Sequence, residues 1–304
     1  QSARLRKVKK IYTHDKCPDG YASAMILANA LPDAEVHFHL PGTSAHARIP
    51  AEAGILFCDL SPPAARVEEF LAAQAIVLDH HETAADITTR FAAKDLGTYP
   101  LCYSGAVLAS RVWDVLAADR PNREQRAWII RNFASLISTR DTWSKTSPNW
   151  DKACEVSAFV RFMGEELLDR ARVDTNGLVF TDFKTFDGGE IGRTLHQRTM
   201  DKLERVASEA CTFMCNSGLQ VAVITDGRSI SDVSDICDVD LMVAFHYYTE
   251  NNQPFLKLSL RSRPRNGRWF HCGNFSHRHG GGGHHGAAGY RSSSLLNPYE
   301  TLKT

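Results

Sequence analysis

Ala75-Ile76-Val77-Leu78-Asp79-His80-His81 is an apolar run of β-forming residues that ends abruptly in a carboxylate and two imidazoles. A strand buried on both faces reads as such a continuous run when it lies in a parallel sheet covered by helices. In open α/β sheets, ligands bind outside the carboxyl ends of the strands. A lone histidine after a strand is ordinarily a packed structural residue. Three consecutive titratable side chains at one strand tip are hard to explain by packing and point to a site.

The flanking sequence repeats the pattern. Residues 8–14 read as a first strand running into His14-Asp15-Lys16-Cys17-Pro18-Asp19-Gly20, and 21–30 as a helix rich in Ala, Met, Ile and Leu. Pro18 suits a loop just before a helix, and Asp19 suits the helix N-terminal end. Residues 35–40 and 55–58 read as strands, the latter ending at Asp59, and 61–73 as a helix opened by Ser61-Pro62-Pro63. Strands at 8–14, 55–58 and 76–78 thus each end in an acid or histidine. Alternating strands and helices predict a parallel sheet with helices on its faces.

Helices follow at 104–118 and 123–137, then Ser138-Thr139-Arg140-Asp141-Thr142-Trp143, then a helix at 149–163. Residues 164–190 are mixed, with Asp187-Gly188-Gly189 as a break. Residues 190–215 read as one long helical stretch that could bridge two domains, with Cys211 and Cys215 four apart on one helix face. Residues 219–225 start a second sheet. Strands at 239–248 and 254–261 join at Glu250-Asn251-Asn252-Gln253, a hairpin signal. The expected class is α/β. A parallel-sheet N-terminal domain (1–187) is joined by a helical linker (188–216) to a smaller α/β domain (217–304).

At 304 residues the chain is long enough for two cores. Its formal net charge of +0 gives no bulk electrostatic drive toward long nucleic acid. No apolar run approaches the ~20 residues that span a bilayer. The 8 cysteines contain no CxxC pair, which predicts reduced thiols and an intracellular, cytoplasmic setting. The chain begins at Gln1 with no visible secretory signal, so a removed targeting segment stays open.

The chemistry-bearing residues fall into two sets. His14, Asp19, Asp59, Asp79, His80, His81 and Asp141 offer carboxylates and imidazoles from several loops, a donor set that suits Mn²⁺-class ions. Two ions ~3.5–4 Å apart need bridging carboxylates, generate a hydroxide near neutral pH and neutralise the oxygens of a phosphorus centre. Taken singly, Asp59 also suits a helix N-cap and Asp141 a surface loop. The second set follows Asn251. From there to Tyr299 there is no Asp or Glu, while Lys257, Arg261, Arg263, Arg265, Arg268, Arg278, Arg291 and five histidines occur. Within it, His279-Gly280-Gly281-Gly282-Gly283-His284-His285-Gly286 lets backbone N–H groups approach an anion closely, with His284, His285 and Arg261 adding charge. A flexible linker is the structural alternative for the glycines. Trp269, Phe270, Phe275 and Tyr290 could stack on a base, or could be core.

Asp79-His80-His81 resembles the signature of the DHH phosphoesterase superfamily. His14-…-Cys17-Pro18-Asp19-Gly20 is similar to its first motif, Cys58-Asp59-Leu60-Ser61 to its second and Arg140-Asp141-Thr142-Trp143 to its fourth. Leu258-Ser259-Leu260-Arg261-Ser262 with Gly281-Gly282-Gly283-His284-…-Ala287-Ala288-Gly289 resembles the DHH-associated C-terminal domain, as in RecJ-like and nanoRNase-like proteins. The resemblance spans about residues 14–290. It implies a dinuclear Mn²⁺ centre, with Mg²⁺ or Co²⁺ as substitutes. In it Asp59 and Asp141 contact both ions, His14 serves one, and Asp19 and His80 serve the other. His81 faces the substrate phosphate, Asp79 orients a metal-ligand histidine from behind, and Arg261, Ser262, Gly281, Gly282, Gly283, His284 and His285 hold the substrate. Many members carry an acid where this chain has Cys17. Either Cys17 ligates as a thiolate, or it does not ligate, or Asp15 substitutes for it.

The implied activity is Mn-dependent hydrolysis of short oligonucleotides to mononucleotides. Polyphosphate, a cyclic dinucleotide or a 3′-phosphoadenosine compound is the alternative substrate within the superfamily. A nucleotide- or RNA-binding module with a decayed metal site is the alternative of another class. Expected partners are a short single-stranded oligonucleotide or another small phosphate-rich molecule, with no membrane and a homodimer as the candidate assembly.

Overall fold

The computed structural model describes residues 2–91, 103–120, 122–168, 189–225, 230–250, 253–265 and 267–292. The chain forms two units, Gln1–His196 and Gln197–Thr304. In the first, β1 (Lys10–His14), β2 (Glu35–His39), β3 (Ile55–Cys58) and β4 (Ile76–Leu78) make a parallel sheet in the order β2-β1-β3-β4. The period of two along each strand divides its side chains between two cores. Ile11, Leu56, Ile76 and Leu78 pack with the helices Pro18–Ala30, Gly105–Leu116, Arg123–Asp141 and Trp150–Met163. Tyr12, Ile55, Phe57 and Val77 pack on the opposite face with Ile49, Val67 and Phe70. Both faces of β3 and β4 are covered, which is why those two strands read as unbroken apolar runs, while the edge strand β2 carries Glu35, His37 and His39.

The strand order reverses between β1 and β3, because the chain adds β2 on one side of β1 and β3 on the other. That switch point is where such sheets leave a crevice outside their carboxyl ends. His14 and Asp59 flank it.

The second unit holds β5 (Cys211–Met214), β6 (Gln220–Ile224), β7 (Leu241–Glu250), β8 (Gln253–Ser262), β9 (Gly282–Gly283) and β10 (Ala287–Ser292), in the order β5-β6-β7-β8-β10-β9. The β6–β7 pair is parallel and the others are antiparallel. One face buries Val221, Val243 and Leu258 with Cys272 and Tyr290. The other buries Ala222, Met242 and Ala244 with Leu203, Ile230 and Val233.

Several boundaries differ from the sequence reading. The helix starting at Arg123 runs four residues further, through Asp141, so the acid is helical. The 61–73 segment starts later, as a 3-10 turn Ala64–Arg66 leading into Val67–Ala72, because Pro62-Pro63 hold the chain extended. The long helix spans Gly189–Ser208 and stops short of 215. Cys211–Met214 is a strand instead, paired antiparallel with β6 from Cys211↔Val223 to Met214↔Gln220. Cys211 and Cys215 therefore share no helix face. Asp187 and Gly188 of the expected break and most of the mixed region lie outside the described residues, and Gly189 begins the long helix.

Candidate metal centre

The carboxyl edge of the first sheet gathers the predicted residues. His14 ends β1. Asp59 follows β3 in the left-handed region at φ 56°, a conformation Asp tolerates better than most, and its backbone N–H donates to Leu78 O at 3.0 Å. Asp79, His80 and His81 follow β4. Asp19 lies in the first turn of the Pro18–Ala30 helix. It accepts from Gly105 N at 2.5 Å and Ala106 N at 2.8 Å, capping the Gly105–Leu116 helix. Close backbone approach fixes two glycines here. A Cβ on Gly20 would overlap His14 O, and one on Gly105 would lie 2.5 Å from Asp59 Cβ.

The cluster has two lobes that meet at Asp59. In one, His14, Cys17 and Asp59 bring ligand atoms within 4.8 Å of one another. In the other, Asp19, His80 and Asp141 do the same, and Asp59 forms a further such group with His80 and His81. Asp59 Oδ2 stands 3.7 Å from His14 Nδ1, while Oδ1 stands 3.1 Å from His80 Nε2. One carboxylate thus faces both lobes. His80 Nε2 also lies 3.6 Å from Asp19 Oδ2 and 3.5 Å from Asp141 Oδ2. Asp79 Oδ1 meets His81 Nδ1 at 2.6 Å, and its Oδ2 accepts from Ser61 Oγ at 2.7 Å. It therefore orients His81 and not His80.

Three of these carboxylates, on Asp19, Asp59 and Asp79, are almost fully buried. Burial, with Asp59 and Asp141 nearby, pushes the Asp19 carboxyl well above its ordinary range. Burial acts in the same direction on Asp59, but the imidazoles of His14 and His80 outweigh it and hold that carboxyl well below. Desolvation disfavours the charged form of His80 and His81. The carboxylates around them win, raising His80 to about 10 and His81 to about 9. Asp141 is pushed up by desolvation despite the pull of His80. Desolvation and the three acids push the Cys17 thiol well above its ordinary value. Concentrated acid of this kind calls for cations. His14 Nδ1 and Asp59 Oδ2, buried and facing one another, have no hydrogen-bond partner among the described residues. Carboxylates and imidazoles with a single thiol, two unsatisfied inward atoms and one shared carboxylate fit bound divalent metal ions.

The structure places Cys17 beside His14 and Asp59. Asp15 is engaged elsewhere, with its Oδ1 accepting from Tyr21 Oη and Lys16 N, both at 2.8 Å. In the sequence Gly105 is legible only as part of a helix. Its signal is Ser104-Gly105 opening that helix, which shows a tight approach only once Asp19 and Asp59 are known to lie there.

The second set lies in the other unit. Gly282 and Gly283 pair with Gly289 and Ala288 as β9 against β10, and a Cβ on Gly281 would overlap Gly289 O. Gly281, Gly282 and Gly283 are closely packed against β10, so the linker alternative fails. Arg261 Nε donates to Ser231 Oγ at 2.6 Å, and Ser262 Oγ donates to Phe270 O at 2.5 Å. His284 N donates to Ala287 O at 2.6 Å, closing the β9–β10 turn. The His285 ring is stacked between Trp269 at 3.7 Å and His271 at 4.0 Å. Phe270, Phe275 and Tyr290 pack into the core, and of the four aromatics only Trp269 is widely exposed.

No protein-family model and no curated protein matches the chain. Solved structures do. A DHH domain described as belonging to a family of ribosomal proteins aligns over 99% of this chain and 86% of its own, at a TM-score of 0.61 and 12% identity. RecJ from Thermus thermophilus in complex with Mn²⁺ aligns over 99% of this chain at a TM-score of 0.56 and 17% identity. The same protein with Mg²⁺ aligns at 0.52 and 15%. The chain spans about half of RecJ, 52% and 50% in the two structures. The molecule has the fold of the DHH-domain proteins.

Proposed function

We propose that this DHH-fold chain is a Mn²⁺-dependent phosphodiesterase that trims short oligonucleotides to mononucleotides. The observation carrying this reading is Asp59, a buried carboxylate whose two oxygens face two separate groups of ligand atoms. His14, Cys17 and Asp59 would hold one ion, and Asp59, Asp19, His80 and Asp141 the other. Two such ions, when bound, supply Lewis acidity and an activated water. Asp79, bonded to Nδ1, makes Nε2 the nitrogen through which His81 meets the substrate phosphate. Asp19, Asp59, Asp79 and His80 are buried, which strengthens the electrostatic contacts they make. Arg261, the β9–β10 turn, His284 and His285 form the proposed hold on the anionic end of the substrate. RecJ in complex with Mn²⁺, similar in fold, supports a divalent metal in this fold.

The test is a substrate panel with the purified chain and Mn²⁺: short RNA, short DNA, polyphosphate and cyclic dinucleotides, resolved on a gel. Di- to pentaribonucleotides are expected to be shortened. Asp59→Ala and Asp141→Ala are expected to lose both activity and bound Mn²⁺. Wild-type protein that binds Mn²⁺ and leaves every short oligonucleotide untouched refutes the proposal.

A further inference from the structure

The helix Arg123–Asp141 ends in an unusual way. Thr142 caps it, Ser144 N donates to Thr139 O at 2.9 Å, and Trp143 N donates to Arg140 O at 3.3 Å. That pair of bonds is the Schellman pattern, whose left-handed position is ordinarily taken by glycine. Here it is Trp143, at φ 58°. A bulky residue in this region costs conformational energy and persists only where the surroundings over-determine it. The turn brings the indole under the Arg140 guanidinium, 4.0 Å from the ring centroid. Trp150, the first residue of the next helix, meets Trp143 at 5.6 Å and 73°. Lys145 Nζ stands 5.3 Å from one indole and 5.8 Å from the other. The proposed hydrolysis uses none of these four side chains. Yet Asp141, two residues before Trp143, is a member of the metal-ligand group with Asp19 and His80.

We infer that Trp143 and Trp150, with Arg140 and Lys145, form a nucleobase-stacking platform at the C-terminal end of the helix that carries Asp141. Indole faces stack on any base, and a guanidinium adds both a second stacking plane and a charge for phosphate. Both indoles are partly open to solvent, and the Lys145 ammonium lies at the outer limit of a cation–π contact. A base can therefore share or take its place while the lysine turns to the phosphate. An inorganic chain would gain nothing from paired indoles. The platform rests on the proposed phosphodiesterase reading and narrows its substrate to nucleotides.

The test uses a product that cannot be hydrolysed further as a diester. Binding of AMP and of ribose 5-phosphate to the full Mn²⁺-loaded chain is measured by calorimetry, with Mn²⁺ stoichiometry read alongside. Trp143→Gly supplies the residue this backbone position favours, so the turn is kept while the indole is removed. It should weaken AMP roughly tenfold and leave both ribose 5-phosphate binding and bound Mn²⁺ unchanged. Trp143→Phe should recover most of the loss, and Trp150→Leu should repeat the selective effect. Equal weakening of both ligands, or a lowered melting temperature with unchanged AMP preference, overturns the platform. Wild-type protein that cleaves oligonucleotides but binds the two ligands equally refutes the platform alone. Wild-type protein that cleaves no diester and binds neither ligand removes the hydrolytic reading and the platform together.

Discussion

Cys17 sits where a carboxylate would complete a hard-ion site, with its sulfur beside His14 and Asp59. A thiolate favours softer ions than a carboxylate does. Cys17→Asp is therefore expected to raise Mn²⁺ affinity at this lobe and lower Cd²⁺ affinity, each by about tenfold or more. Competitive metal titration measures both, and a rise in Cd²⁺ affinity would contradict the assignment. The histidines make the centre sensitive to pH. In metal-free protein His80 is raised to about 10 and His81 to about 9, against a free value of 6.5. Their pairing with the acids stabilises the metal-free fold fully below the free value and is lost as pH rises through the raised ones. Metal ions need the deprotonated imidazoles, so binding at neutral pH releases protons. Two outcomes are expected. Metal-free protein in chelator melts at lower temperature as pH rises from about 7 to about 10, and the extra stability conferred by Mn²⁺ grows from about pH 6 to about pH 8.5. Thermal melts across that range, with calorimetry in two buffers of different ionisation enthalpy, check both signs.

At the scale of elements, the site depends on where helices begin and end. Asp19 lies in the first turn of one helix and caps the start of another through Gly105 N and Ala106 N. A methyl group on Gly105 would meet Asp59 Cβ at 2.5 Å and Ser23 Oγ at 2.9 Å. Gly105→Ala is therefore expected to destabilise the fold by about 1–3 kcal/mol and to reduce bound Mn²⁺, because the displaced side chain is the shared carboxylate. Melting temperature and metal stoichiometry read the two effects separately. Full metal occupancy would show that the helix start can shift without moving Asp59. The sequence revealed the strands well, because a fully covered parallel strand must be apolar throughout and its tip must change character. Ile55–Cys58 and Ile76–Leu78 lie where that pattern puts them. The helix ends were less legible. Ser138-Thr139-Arg140-Asp141 has weak helix formers and an acid at the dipole's negative end, yet packing carries the helix through. Cys211–Met214 was hidden for the opposite reason. Its polar and apolar residues carry no strand signal of their own, and the pairing that makes it a strand comes from β6 across the following turn. Gly105 was invisible as a site residue, since its role lies in what surrounds it.

Over the whole molecule, charge limits what the chain can bind. The acid-free stretch after Asn251 reads in the sequence as an uncompensated basic patch. In the fold, Arg263 pairs with Asp235, and Arg265 pairs with Asp238 at 2.6 Å. Arg268 donates to Gly218 O at 2.9 Å, and burial lowers the affinity of Arg261 for its proton. Two of these arginines are thus paired inside their own unit, with acids that lie just upstream in sequence. With a formal net charge of +0, the molecule has little long-range field to gather a long polyanion. Among the described residues no helix is long and apolar enough to cross a membrane. A short substrate makes few phosphate contacts, and each contact on a single strand contributes a salt slope of about 0.7. Hydrolysis of a trinucleotide, with two internucleotide phosphates, should then lose less than roughly tenfold in kcat/KM between about 50 and about 200 mM salt. Longer oligonucleotides should show no steeper dependence, because the added phosphates lie beyond the charges that hold the end. Kinetics on a length series at several salt concentrations measures this directly. A slope that grows with length would reveal an extended phosphate track and a substrate longer than the one proposed.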